Sequence, residues 1–220
     1  MELASKDACT GCGNCRLVCK KKAVTFTRDA LNNIYPVIDS GKCVGCGLCQ
    51  KVCPAINQVE KNRPKACYSC YASNEAIRKS SASGGVAQAI YRWCLKKDIP
   101  FAGVYFDNKE LTAKYKLGFS EGDIHQFVNS KYTFSFMGNI SEDVIDILKN
   151  EKSLVFIGLP CQVAAVKNMQ KQIKSKRRTC LQSISFAMVC LLIFILKSML
   201  KTYAMGRLKL KDYHLEMNAS

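Results

Sequence analysis

Eight of the 14 cysteines fall in two copies of one short run, and their spacing is the strongest chemical signal in the sequence. Cys9-Thr10-Gly11-Cys12-Gly13-Asn14-Cys15-Arg16-Leu17-Val18-Cys19 recurs 34 residues on as Cys43-Val44-Gly45-Cys46-Gly47-Leu48-Cys49-Gln50-Lys51-Val52-Cys53, with seven of eleven positions identical. A 4Fe-4S cluster needs four soft thiolates around a compact inorganic cube, and C-x2-C-x2-C supplies three from one loop. The glycines let that loop wrap the cluster and turn backbone N–H groups toward its sulfurs. The fourth cysteine is expected to start a helix and point away, toward the other cluster, as in two-cluster ferredoxins. The pattern therefore assigns Cys9, Cys12, Cys15 and Cys53 to one cluster, and Cys43, Cys46, Cys49 and Cys19 to a second. The competing reading is a zinc module. Zinc takes C-x2-C pairs separated by a longer loop, four ligands per ion, and two four-cysteine runs do not have that form. Cys53-Pro54 completes the ferredoxin pattern, whereas Cys19-Lys20 lacks the proline. Arg16, Lys20, Lys21 and Lys22 either offset the clusters' negative charge or form an ordinary solvated face.

Such loops need a frame. Ala23 to Phe26 and Ile34 to Val37 flank Asn32-Asn33 and read as a hairpin. Asn57 to Lys65, polar and with Pro64, reads as a linker. Beyond it the pattern becomes α/β. Ala66 to Ala72 is expected as a strand, and Ser80 to Gly85 as a flexible loop. Ser83 is expected to cap a helix that puts Val86, Ile90, Trp93 and Cys94 on one face. Phe101 to Phe106 reads as a strand, Asp107-Asn108 as a turn, and Leu111 to Phe119 as the partner strand. Ser120-Glu121-Gly122-Asp123 and Ser141-Glu142-Asp143 have the form of helix starts with acids in the first turn. Ser153 to Ile157 is expected as a buried strand running through Gly158-Leu159-Pro160-Cys161 into a helix from Gln162 to Met169. The predicted fold class is α+β and α/β: an N-terminal dicluster ferredoxin-like domain, then an incomplete α/β domain.

The strand-to-helix turn at Gly158, Pro160 and Cys161 lies where an α/β sheet binds ligands, and a helix N-terminus favours phosphate. Ser83, Gly84 and Gly85, before another helix, offer a second such place. Each alone is more often plain structure. Cys67 and Cys70, three apart in a strand, face opposite ways and read as small core residues, as does Cys94. His125 and His214 read as surface residues, so no general acid–base pair is named.

Taken in order, these segments resemble a known family. The dicluster run is followed by Ile77-Arg78-Lys79-Ser80-Ser81-Ala82-Ser83-Gly84-Gly85, then Ser130-Lys131-Tyr132, then Gly158-Leu159-Pro160-Cys161-Gln162. This is similar to the coenzyme F-420 hydrogenase/dehydrogenase beta-subunit family, in the bacterial form with an N-terminal ferredoxin, over about residues 5–170. The resemblance implies an iron–sulfur oxidoreductase subunit with FAD, passing electrons between clusters, flavin and a small-molecule substrate such as the deazaflavin coenzyme. It implies that Ser83, Gly84, Gly85 and the Gly158–Cys161 turn border the flavin, although Leu159 stands where the family usually has Thr. A redox partner protein or ferredoxin is the implied partner. The domains expected are 1–58 (two-cluster), 59–65 (linker), 66–150 (N-terminal α/β), 151–175 (start of the C-terminal domain) and 176–220 (tail).

The tail has its own signature. Residues 171–220 hold 10 Lys/Arg and 2 Asp/Glu, and residues 1–170 hold 23 and 15, so each part carries +8 of the net +16. Half the charge thus sits in under a quarter of the chain. The family continues past G-x-P-C-Q with a strand ending V-C-H-G-V-P-S, and Arg177 to Leu192 has nothing like it in frame. Freely chosen codons for Arg177 to Leu192, read in another frame, give that segment, with Met188-Val189 forcing its Gly. A frameshift in the Lys-rich stretch from Lys171 to Lys176, where A-rich codons invite slippage, is therefore expected. Phe186 to Leu196 is apolar but too short to span a bilayer, so no transmembrane segment is expected. The opening Met1 to Asp7 lacks an apolar signal core, which argues for a reducing cytoplasm and for metal over disulfides. A basic nucleic-acid or membrane binder is the weakest reading, because the charge concentrates in the tail and no aromatic–basic motif accompanies it. Two function classes remain: the oxidoreductase subunit, and a ferredoxin-like carrier joined to a non-functional, truncated flavin domain.

Overall fold

The structure is a computed structural model that describes residues 2–30, 33–59, 68–150, 153–172, 181–186, 191–192 and 215–219. The two cysteine runs fold into matching pieces. Gly13 and Gly47 start four-residue helices, α1 (Asn14–Leu17) and α2 (Leu48–Lys51), from left-handed backbone at φ 81° and 73°. Their hydrogen bonds match as well: Arg16 and Gln50 N–H donate to the carbonyls of Gly13 and Gly47 at 3.0 and 3.1 Å. Cys15 and Cys49 lie within these helices, and Cys19 and Cys53 follow them. That corrects the expectation that the fourth cysteine starts a helix. Between the runs, β1 (Val24–Arg28) pairs antiparallel with β2 (Ile34–Ile38) from Val24↔Ile38 to Arg28↔Ile34. The hairpin is closed by the Asn33 N–H on Asp29 Oδ1 at 2.8 Å, and Asn32 lies outside the described residues. Pro36 costs no ladder bond that a third strand would need, because this sheet has two strands.

The second unit is built on a six-stranded sheet in the order β6-β5-β4-β7-β8-β9. β4 (Phe101–Asp107) and β5 (Thr112–Gly118) form the expected antiparallel pair, and β6 (Ser135–Phe136) adds parallel to β5. β7 (Leu154–Gly158) lies parallel to β4 on one side and to β8 (Leu181–Phe186) on the other; β9 (Leu191–Leu192) follows β8. The four apolar residues of β7 are all buried because helices cover both faces. Leu154 and Phe156 pack with α6 (Ile140–Lys149) and α7 (Pro160–Gln172). Val155 and Ile157 pack with α4 (Val86–Lys96) and α5 (Glu121–Phe127). The alternation of side chains along a strand thus sorts one run into two cores.

Three helix starts differ in kind. Ser120 caps α5 as expected, with a full capping box to Asp123. α4 starts from Gly85 at φ 76°, not from a Ser83 side chain. α6 starts from Asn139, two residues earlier than Ser141 suggested, which leaves Ser141 buried inside the first turn. The stretch from Ser80 to Gly85 is pinned rather than loose. Ser80 and Ser81 hydroxyls donate to the Ile77 carbonyl at the end of α3 (Glu75–Lys79), and Gln88 Nε2 donates to Ser81 Oγ at 2.7 Å. β3 (Tyr68–Ala72) pairs with β10 (Leu215–Ala219). Residues 60–65 of the expected linker, Cys67, His214 and most of the apolar run from Phe186 to Leu196 lie outside the described residues.

Candidate metal centre and the turn beside it

The structure gathers Cys9, Cys12, Cys15 and Cys53 into one group. Burial raises the Cys9 thiol, and charge from Cys53 adds to that. Burial pushes Cys12 up to about 11, with added charge from Cys53 and Cys9. It pushes Cys15 up to about 12, with added charge from Cys12, Cys9 and Cys53. Cys53, from the second run, thus lies near enough to act on the three thiols of the first. Cys49 is likewise raised by burial and then by Cys46 and Cys43. Cys19 packs against the small core of Cys15, Val24 and Cys49, and its sulfur accepts the Ala23 N–H at 3.3 Å. Among the described residues no three Cys, His, Asp or Glu side chains converge closely enough to hold a single ion. The glycines at positions 11, 13, 45 and 47 all have positive φ, a backbone that lets each loop curl around a bound group.

The two loops meet different surroundings. Gly11 to Cys15 are all buried, whereas Val44, Gly45 and Cys46 are all exposed, Val44 at 64 %. The first loop is buried by the α/β unit. Asn14 Nδ2 donates to the Ala165 carbonyl in α7 at 2.8 Å, and Arg16 donates to Asn139 Oδ1 at 2.8 Å. Gly11 lies against the Phe134 ring and Gly13 against the Gly138 carbonyl. Cys12 belongs to the same core as Tyr115, Met137 and Phe156. The position equivalent to Asn14 is Leu48, which has no amide to make that bond. A cavity of about 640 Å³ opens beside this junction, walled by Arg28 and Ile34 of the hairpin and by Lys114, Tyr115, Phe134 and Phe136 of the α/β unit.

The Gly158–Cys161 turn sits between β7 and α7 as the sequence indicated, with Pro160 as the first helical residue, where its missing N–H has no cost. A methyl group on Gly158 would come within 2.5 Å of the Tyr115 hydroxyl oxygen. Leu159 is half exposed, and Cys161 lies near enough for its charge to raise Tyr115, after burial has done so. Gln162 is the residue that sequence reasoning missed. It is buried; its Oε1 accepts from the Tyr115 hydroxyl at 2.5 Å and the Leu159 N–H at 2.8 Å, while its Nε2 donates to Ser135 Oγ at 2.8 Å. One amide therefore fixes the turn to β5 and β6. Only its place at the end of the G-L-P-C-Q segment hinted at this. Gly84 and Gly85 have a packing reason of their own. Gly84 lies against Cys70 and Tyr71 of β3, Gly85 against Ala72 and Ile77, and Ser83 is exposed. Lys131 donates to the carbonyls of Gln126, Val128 and Asn129 at the end of α5, and burial lowers it to about 8. Cys94 is fully buried, with its thiol pushed up to about 12, and His125 is exposed.

These features define a two-cluster iron–sulfur domain joined to an α/β unit. Residues 8–57 match the family described as 4Fe-4S dicluster domain. No curated protein matches the chain. Among solved structures, a chain of the xenon-derivatised F420-reducing NiFe hydrogenase complex from Methanosarcina barkeri is similar, with 18% identity and a TM-score of 0.48 over 60% of this chain. The match covers 48% of that chain, so this sequence spans about half its length. Among the described residues no helix is long and apolar enough to cross a membrane.

Proposed function

We propose that the chain is an iron–sulfur oxidoreductase subunit in which Cys9, Cys12, Cys15 and Cys53 hold one 4Fe-4S cluster and Cys43, Cys46, Cys49 and Cys19 hold the other. Electrons pass between them and a flavin or deazaflavin-type site on the α/β unit. The observation that carries this reading is the burial of the first loop against that unit, with Cys12 inside its core. A free-standing carrier has no use for closing one of its two cluster loops against a second unit. The clusters, when bound, supply one-electron transfer over a range of potentials that their surroundings set. Asn14, Arg16, Gly11 and Gly13 hold the first loop in place and exclude water from it. Tyr115 and Phe156, stacked at 5.1 Å, belong to that core, and Tyr115 is linked to the Gly158–Cys161 turn through Gln162.

Ser83, Gly84, Gly85, Gly158, Pro160 and Cys161 are the flavin contacts this reading takes, and the junction cavity is walled by other residues. The domain limits follow it: 1–58, 59–65, 66–150 and 151–175, with 176–220 read from a shifted frame. The test is iron, sulfide and flavin content of anaerobically purified protein. About eight irons with stoichiometric flavin support the full reading. About eight irons without flavin reduce it to an electron carrier, and zinc persisting after reconstitution overturns it.

A further inference from the structure

The exposed loop has a charge setting of its own. Lys20, Lys21 and Lys22 follow Cys19 and are all exposed. Lys22 takes a left-handed φ of 50° in a turn closed by its N–H on the Cys19 carbonyl at 2.9 Å. That conformation is uncommon for a residue with a side chain, so the turn fixes where the lysines project. Two hydrogen bonds tie this segment to the second loop: Asp39 N–H donates to the Ala23 carbonyl at 2.8 Å, and Cys43 N–H donates to the Asp39 carbonyl at 3.0 Å. Lys42 is also exposed, and its ammonium neutralises Asp39 at 2.9 Å.

We propose that the loop from Cys43 to Cys49, rimmed by Lys20, Lys21 and Lys22, is the docking surface for a small acidic one-electron carrier protein. This rests on the reading that the two runs hold clusters. One loop is closed off by the α/β unit, so the open loop is the edge that a carrier can approach. Exposed Val44 beside a cationic rim has the layout of a small, transient interface steered by charge. The rim's sign selects an acidic partner. Each encounter moves one electron, oxidising the carrier and reducing this chain or the reverse, with no bond made or broken.

The experiment is calorimetric titration of anaerobic, iron-loaded protein with a small acidic 2Fe-2S ferredoxin. Wild type is expected to bind at low ionic strength and to weaken at least about tenfold as salt shortens the screening length from ~30 Å to ~3 Å. Lys20→Glu/Lys21→Glu/Lys22→Glu is expected to weaken binding at least about tenfold. Lys96→Glu/Lys97→Glu/Lys109→Glu, an equal charge change on the exposed surface of the α/β unit, is expected to leave it within about twofold. Iron content and absorption spectra of all three proteins are taken first, because loss of iron from wild type would strike the cluster reading rather than the docking surface. With clusters intact, the proposal is overturned by no binding to wild type, by equal loss in the two triple variants, or by a basic carrier of similar size binding as tightly.

Discussion

Cys53 and Cys19 test whether the two runs act separately or crossed over. If Cys53 completes the set with Cys9, Cys12 and Cys15, then Cys53→Ser and Cys9→Ser each remove the same cluster. Iron should fall from about eight to about four per chain in either variant, and no further in the double variant. Cys19→Ser combined with Cys53→Ser should remove both. Iron analysis with electron paramagnetic resonance of the reduced protein reads this directly, and additive loss in Cys9→Ser/Cys53→Ser would refute the crossed assignment. Gln162 permits a second test at this scale. Gln162→Leu keeps the volume but strands the Tyr115 hydroxyl, the Leu159 N–H and the Ser135 hydroxyl in or near the core. Leaving buried donors unpaired costs about 1–3 kcal/mol, whereas Tyr115→Phe, which removes one hydroxyl and its bond, should cost about 0.5–1.5 kcal/mol. Urea unfolding measures both, and the ranking fails if Tyr115→Phe proves the more damaging.

The elements show where like sequence meets unlike surroundings. Gly13 and Gly47 both start short helices at positive φ, a conformation that costs a side-chain-bearing residue about 1–2 kcal/mol. A methyl group at Gly47 meets nothing within 4 Å, but at Gly13 it stands 3.1 Å from the Gly138 carbonyl. Gly13→Ala should therefore destabilise more than Gly47→Ala and should loosen the first loop from the α/β unit. Thermal unfolding gives the ranking, and equal losses would mean that the junction contributes nothing. The repeat, the hairpin, the β4–β5 pair and the buried β7 strand were legible because each rests on local periodicity or identity. The difference between the loops was not, because it turns on Asn14 against Leu48 and on a carbonyl 151 residues away. Gln162 was hidden for a like reason: a glutamine near a helix start reads as surface, and only the folded sheet brings Tyr115 and Ser135 to it. Ser83 and Ser141 misled because several residues in a row could cap, and packing chose Gly85 and Asn139. At β8 the backbone pairs with β7 from Leu154↔Leu181 to Gly158↔Ser185. Sequencing the nucleotides across codons 165–195 decides whether the reading frame shifts, and absence of V-C-H-G from the other frames would end the frameshift account.

For the whole molecule, the consequence is that two chemically similar centres have unequal access to water. The first loop is covered by α7, by the start of α6 and by the Phe134–Gly138 segment, and Asn168 Nδ2 adds a bond to the Asn57 carbonyl at 2.6 Å across the same junction. The second has Val44 to Cys46 open to solvent. A chelator or oxidant must reach the iron edge to remove it, so access sets the rate where ligand chemistry is the same. Iron should leave the wild-type protein in two phases of about equal size under an excess of a ferrous chelator, since the two sites hold equal iron. Cys53→Ser, which keeps only the exposed set, should lose its iron at the fast rate, and Cys19→Ser, which keeps only the covered set, at the slow rate. Asn14→Ala removes the amide that ties the first loop to Ala165 and should speed the slow phase while leaving the fast one unchanged. A single phase in wild type, or the slow phase assigned to Cys53→Ser, would mean that the α/β unit does not shield the first centre.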